Sequence, residues 1–262
     1  MTNKECRQSE RLSFHTGPGR YMLRLGKIII AALALALLPI VSAVANQFFV
    51  IDSTSPNFLT GAIIDGAKPV SIAEGERVTL VTEDGNTRTI RGPFNGALEG
   101  DQGKGEKKSG LIKTLAKFVE SDRVRSKPGA VRGGTTATLD DPFLLPIGIG
   151  GRFCVRDGSV TLWRPDASED KTLIVKQFGG QANRVKIVWP AGDNQIAWPA
   201  GAPLKDGKKY AIRLRGGASA RQIHVVLLNG GAPTTAHEIA RLADHECFRQ
   251  ARSLLQTLLP GD

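Results

Sequence analysis

Long apolar runs, cysteines and catalytic signatures are all scarce in this chain of 262 residues. One apolar run, Ile28 to Ala45, approaches the length of a bilayer span, which excludes a polytopic membrane protein. Only three cysteines occur, and no two of them form a Cys-x-x-Cys pair. The sequence has no Gly-x-Ser-x-Gly elbow, phosphate loop or His-Glu-x-x-His helix. No catalytic residue, metal site or cofactor is therefore expected. His237-Glu238 and His245-Glu246 form the one dense titratable group, but the two histidines stand roughly 80° apart around a helix and lack further ligands. They are read as a solvated helix face, and His224, inside an apolar strand, as a structural residue.

What is present points to a globular protein. Apolar residues make up 41% of the chain, with 30 Gly and 14 Pro, so there is material for two small domains with real cores. A mainly disordered or collagen-like chain is excluded.

From Met22 the order is a basic start at Arg24 and Lys27, the apolar run, a Pro at 39 and small residues ending Ala43-Val44-Ala45. That is the pattern of a secretory signal. Residues 1–45 are read as a leader with Met22 as its true start, and the mature chain is expected to begin at Asn46, in the periplasm. The competing expectation is an anchor in the inner membrane formed by residues 28–45.

Beyond residue 45 the chain holds 29 basic and 23 acidic residues. Gly103 to Arg132 alone holds nine basic against three acidic residues, so the whole excess falls there. Residues 96–141 are read as a basic linker enclosing an amphipathic helix. Lys104, Lys107, Lys108, Lys113 and Lys117 are candidate contacts to an anionic lipid or glycan, and an exported chain is not expected to meet nucleic acid. The plainer reading is a charged, Gly-punctuated linker kept soluble by its lysines. Leu111, Ile112, Leu115, Phe118 and Val119 form one helical stripe with Lys113 and Lys117 turned away. The stripe packs on its own protein or, alternatively, docks on a membrane surface.

Residues 46–95 read as short strands forming a small β-module. Arg77 to Thr82 and Thr87 to Arg91 flank the turn Glu83-Asp84-Gly85-Asn86, a hairpin that puts Val78 and Leu80 on one face. Gly92-Pro93 stops its second strand, because Pro has no amide hydrogen for the ladder. The stretch from Gly75 to Pro93 resembles the periplasmic β-repeat region of FecR-type proteins, and the resemblance extends over some forty residues within about 47–94. The cytoplasmic anti-sigma segment of that family is missing, so its regulatory role does not carry over.

Residues 142–232 show seven short strands: Phe153 to Val155, Val160 to Trp163, Leu173 to Phe178, Val185 to Trp189, Gln195 to Trp198, Lys209 to Leu214 and Gln222 to Leu228. Their spacing suggests an immunoglobulin- or fibronectin-like sandwich. Arg156-Asp157-Gly158-Ser159 reads as a tight hairpin between the first two. Trp189-Pro-Ala-Gly recurs as Trp198-Pro-Ala-Gly, and Trp163-Arg-Pro is a looser copy. Such Trp-Pro edges, an Asp-Gly turn and a Tyr strand (Tyr210) look like the fibronectin-type modules of envelope proteins. Trp163, Trp189 and Trp198 are read as packing residues, with glycan stacking as the alternative.

Residues 233–262 read as one C-terminal helix, opened by the capping box Thr235-Ala-His-Glu238 and carrying Cys247 on its apolar face. Cys6 leaves with the leader, so Cys154 and Cys247 are expected to form a disulfide that staples this helix to the sandwich. The fold class is thus mainly β: a small N-terminal module, then a sandwich with a helix packed on it. The expected function is that of a non-catalytic envelope protein that binds a protein partner; the alternative is a binding module for an envelope glycan or anionic surface.

Overall fold

Apolar residues stand consecutively in Phe48-Phe49-Val50-Ile51, and the strand they form is buried on both faces. The computed structural model describes residues 47–98, 110–125, 139, 141–179, 184–217 and 219–259. The leader, with Met22, residues 28–45 and Asn46, and the lysines Lys104, Lys107 and Lys108 lie outside the described residues.

The N-terminal strands are β1 (Gln47–Ser53), β2 (Ile63–Asp65), β3 (Pro69–Ile72), β4 (Arg77–Thr82), β5 (Thr87–Arg91) and β6 (Phe94–Ala97). They make an antiparallel sheet in the order β2-β1-β4-β5 and a second pair, β3 with β6. The β4–β5 hairpin forms as its alternation predicts, with Val78 opposite Ile90. Val78, Leu80 and Ile90 join Phe48, Val50, Val70 and Ile72 in the module's core. Phe49, Ile51 and Val81 face the other way, into a second core.

The later strands are β7 (Leu144–Pro146), β8 (Gly151–Arg156), β9 (Thr161–Trp163), β10 (Lys171–Gln177), β11 (Arg184–Trp189), β12 (Gln195–Ala197), β13 (Lys209–Leu214) and β14 (Arg221–Leu228). One sheet runs β11-β10-β13-β14-β8 and the other β12-β9-β7, antiparallel except for β14 with β8 and β7 with β9. Their inner faces meet in a core that includes Leu145, Leu162, Leu173, Val175, Tyr210 and Ile223. This is the expected β-sandwich, with the sheet order of the immunoglobulin and fibronectin class.

Two local expectations are corrected. The Asp157-Gly158 turn does not close a hairpin: β8 and β9 lie in different sheets. Both residues adopt positive φ, 54° and 68°, so the turn is as tight as the sequence implies. The strands it joins, however, contribute Phe153 and Val155 from one side of the core and Leu162 from the other. Burial therefore decides the pairing, and β8 pairs in parallel with the final strand. The other correction is an eighth strand, β7, whose three residues, Leu144-Leu145-Pro146, carry too little pattern to be read.

Among the described residues the helices are α1 (Leu111–Arg125), α2 (Thr235–Asp244) and α3 (Phe248–Gln256). The single tail helix of the sequence reading is broken in two. Cys247 N–H reaches Leu242 O at 2.8 Å and Glu246 N–H reaches Ala243 O at 2.9 Å, with Glu246 left-handed at φ 59°. This is the helix-ending motif that glycine normally supplies. With Glu in that position, the sequence gives no stop signal. The start also moves by one residue, because Thr234 rather than Thr235 caps the helix, its Oγ1 accepting from His237 N–H.

The three helices form a layer between the module and the sandwich within one compact unit. Leu111, Ile112, Leu115 and Phe118 of α1 pack with Phe49, Ile51 and Val81 on one side, and with Ala236, Ile239, Leu242 and Ala251 of the tail. Cys154, Val226 and Leu228, on the outer face of the five-stranded sheet, close the same core. The amphipathic stripe of α1 is thus spent on internal packing, with Lys113 and Lys117 exposed.

Candidate functional site

Cys154 and Cys247 are disulfide-bonded, their Cα atoms 5.9 Å apart and 93 residues apart in sequence. Cys154 lies on β8, the edge of its sheet, where part of the backbone has no neighbouring strand. Gln250, one turn beyond Cys247, fills that gap. Its Oε1 accepts from Cys154 N–H at 2.7 Å and its Nε2 donates to Cys154 O at 2.8 Å. Arg152 on the same strand pairs with Glu246 at 2.8 Å, and Arg252 of α3 pairs with Asp122 of α1. Phe118 and Phe248 stack with ring centroids 6.1 Å apart. Hydrogen bonding to Asp122 raises the pKa of Arg252 above its usual value.

The hairpin tip of the module meets this layer. Glu83 accepts from Ile112 N–H at the start of α1, 3.4 Å away. Gly85, at φ 81°, lies so close to Thr234 Oγ1 and the His237 ring that any side chain would overlap them. His237 is committed to Thr234 Oγ1 at 2.9 Å, and among the described residues no cluster of three His, Cys, Asp or Glu could hold a metal ion. His224 contacts Gly207 O at 3.1 Å.

The repeated Trp-Pro-Ala-Gly motif has one geometry in both copies. Trp189 Nε1–H donates to Asp193 O at 2.8 Å, and Trp198 Nε1–H to Ala202 O at 2.5 Å, each four residues on. The indole closes its own turn. Trp189 is fully buried and offers no face to a sugar, which corrects the glycan-stacking alternative at that residue. Trp163 and Trp198 are half-buried, and Trp198 meets Tyr210 edge to face at 5.3 Å. Tyr210 Oη donates to Pro203 O at 2.8 Å and accepts from Lys205 N–H at 3.0 Å, a tyrosine corner. Burial raises the Tyr210 pKa, against the smaller opposing effect of the Lys205 amide.

Two residues central to this framework carried no sequence signal. One is Gln250. The other is Arg164, buried at 1% exposure, whose guanidinium donates to Asp193 O, Glu169 O and Pro190 O at 2.9, 3.0 and 2.5 Å. It lies 5.0 Å over the Trp189 ring and so ties the first Trp-Pro turn to the loop after β9. Nothing in a Trp-Arg-Pro triplet distinguishes such an arginine from a solvated one.

A cleft of about 390 Å³ runs beside α3, lined by Asp141, Leu144, Pro146, Arg249, Arg252 and Ser253 among others. Asp141 Oδ1 accepts from Phe143 N–H at 2.8 Å and Arg252 is held by Asp122. Burial, with Arg252 nearby, lowers the pKa of Arg249. The cleft's described residues include no nucleophile paired with a base. Comparison with family models, with curated proteins and with solved structures gives no match to the chain.

Proposed function

We propose that the chain is an exported, non-catalytic envelope protein that acts as a rigid scaffold for a protein partner. One observation carries this reading: all five buried polar or charged residues among those described hold up the fold. Ser55 accepts from Asn57 N–H, Thr79 bonds Thr89, Arg164 holds three carbonyls, Glu238 pairs with Arg241, and Gln250 holds Cys154. An active site aims its buried polar groups at a cavity; here each of the five bonds backbone or a neighbouring side chain, Gln250 at the border of the cleft included. The disulfide supports an oxidising compartment and the leader supports export. The FecR-like character of residues 47–94 belongs to the same proposal.

In-cell crosslinking followed by purification, with and without lysozyme digestion of the envelope, tests the scaffold role. Protein adducts that survive digestion are expected, from material whose N-terminus is Asn46. Retention on purified sacculus with no protein adduct would replace this reading with glycan binding.

A further inference from the structure

The sandwich presents one face with a charge that sequence counting spreads thin. On β10, β11 and β13 the apolar residues Leu173, Val175, Val185, Ile187, Tyr210 and Ile212 point into the core. The alternate positions point out, and they include Lys176, Arg184, Lys186, Lys209 and Arg213 with no carboxylate among them. Register brings the five together. Lys176 lies opposite Arg184, and Ile174 has Lys186 on one side and Arg213 on the other. The array is about 10 Å across three strands and about 14 Å along them. None of the five makes an ion pair among the described residues.

Fold stability does not account for this face. Like charges directly opposite in a sheet are unfavourable, as Lys176 and Arg184 are. Protection of a sheet edge explains Arg184 and Lys186 on the edge strand β11, but not Lys176, Lys209 and Arg213 on interior strands. Ile174 is 8% exposed yet belongs to none of the three apolar cores, and it lies between Lys186 and Arg213, residues whose long stems can cover an apolar neighbour.

We propose that this face docks on an anionic lipid surface, with the five cations against the headgroups. The arrangement of its apolar residues favours a bilayer over an acidic protein. Val188 is 64% exposed on the outward side of β11, and Phe178, one residue past β10 on the same alternation, is 43% exposed. They stand at opposite ends of the charged centre. A protein interface has the inverse plan, an apolar centre and a charged rim. A cationic array with apolar side chains at its ends matches headgroup charge over an area while Val188 and Phe178 reach toward the acyl boundary. The inference goes beyond the scaffold role and concerns different residues from the basic segment around Lys104.

Lysine footprinting by acetylation and mass spectrometry tests it on the full chain, mixed with vesicles of phosphatidylcholine alone or with one part in three phosphatidylglycerol. Any contribution of the apolar run at 28–45 is common to both. Lys176, Lys186 and Lys209 should react several-fold more slowly on the anionic vesicles, while Lys68 on the N-terminal module keeps its rate. The protection should vanish at about 0.5 M salt, where screening confines exposed charges to a few ångströms. Lys186→Glu with Arg213→Glu should abolish protection of Lys176 and Lys209; the milder Lys186→Gln with Arg213→Gln, checked for an unchanged melting temperature, should weaken it. Equal rates on the two vesicles would overturn the proposal. So would protection confined to Lys113 and Lys117, or protection by soluble polyglutamate or inorganic polyphosphate but not by vesicles.

Discussion

Gln250 and Cys154 form a two-point amide pair, side chain to backbone, in which a helix residue takes the place of a missing strand. Cys247 grips the same residue through sulfur, so β8 is held twice by one helical turn. Gln250→Ala leaves a buried N–H and C=O without partners, which costs about 2–5 kcal/mol. Cys247→Ser removes a closure of 93 residues, worth up to about 4–5 kcal/mol on the chain-entropy model. Denaturant unfolding should show both losses. Because Phe49, Ile51 and Val81 share the helical core, the Cys247 variant should also expose the module before residue 98 to protease.

Gly85 and Gly75 make a controlled pair. Both have positive φ, 81° and 80°, but Gly75 faces open space while Gly85 faces Thr234 and His237. Gly75→Ala should cost about 1–2 kcal/mol for the left-handed backbone alone. Gly85→Ala should cost about 1 kcal/mol more, because the Thr234 cap must move. Equal losses in urea titrations would mean that the hairpin tip does not press on α2.

Glu246 occupies a backbone region that favours glycine. Glu246→Gly and Glu246→Ala both lose the exposed pair with Arg152, so their difference isolates the backbone. The Gly variant should be the more stable by about 1 kcal/mol, read from paired thermal melts.

Tyr210 supplies a pH dependence. Its folded pKa is raised, so the neutral phenol is the form that the fold favours. Its contribution is fully present below the unfolded value of about 10 and is lost as pH rises through the folded one. Tyr210→Phe removes the bond to Pro203 and should lower stability at neutral pH by about 1 kcal/mol, while making the alkaline decline shallower. Parallel pH–stability curves for the two proteins would contradict this assignment.

Much of the architecture was legible because burial writes a period into the sequence. The β4–β5 hairpin, the stripe of α1 and the inward face of β10 to β14 all follow from alternation or helical spacing, and the Cys154–Cys247 bond follows from counting thiols in the expected compartment. Partner choice was not legible. The Asp157-Gly158 turn states its own tightness but not which sheet the next strand joins, and Glu246 ends a helix without a glycine to announce it. The outward cations were visible at alternate positions of β11, Arg184 and Lys186, and at the two ends of the outward row of β13, Lys209 and Arg213, yet only register sets Lys186 and Arg213 on either side of Ile174. Burial of Trp189 was equally out of reach, since a Trp-Pro turn reads the same whether its indole faces the core or the solvent.

The parallel pairing of β8 with β14 sets an order of events for a chain made from its N-terminus. The first long strand of the sandwich is finished at Arg156, but its ladder partner begins only at Arg221 and its sulfur partner arrives at Cys247. Until then the nascent protein carries an unpaired strand edge and a lone thiol on the same six residues. Anything that shields extended segments or oxidises thiols during biogenesis therefore has one stretch of this chain to attend to, Gly151–Arg156, and its task ends when the last helix arrives.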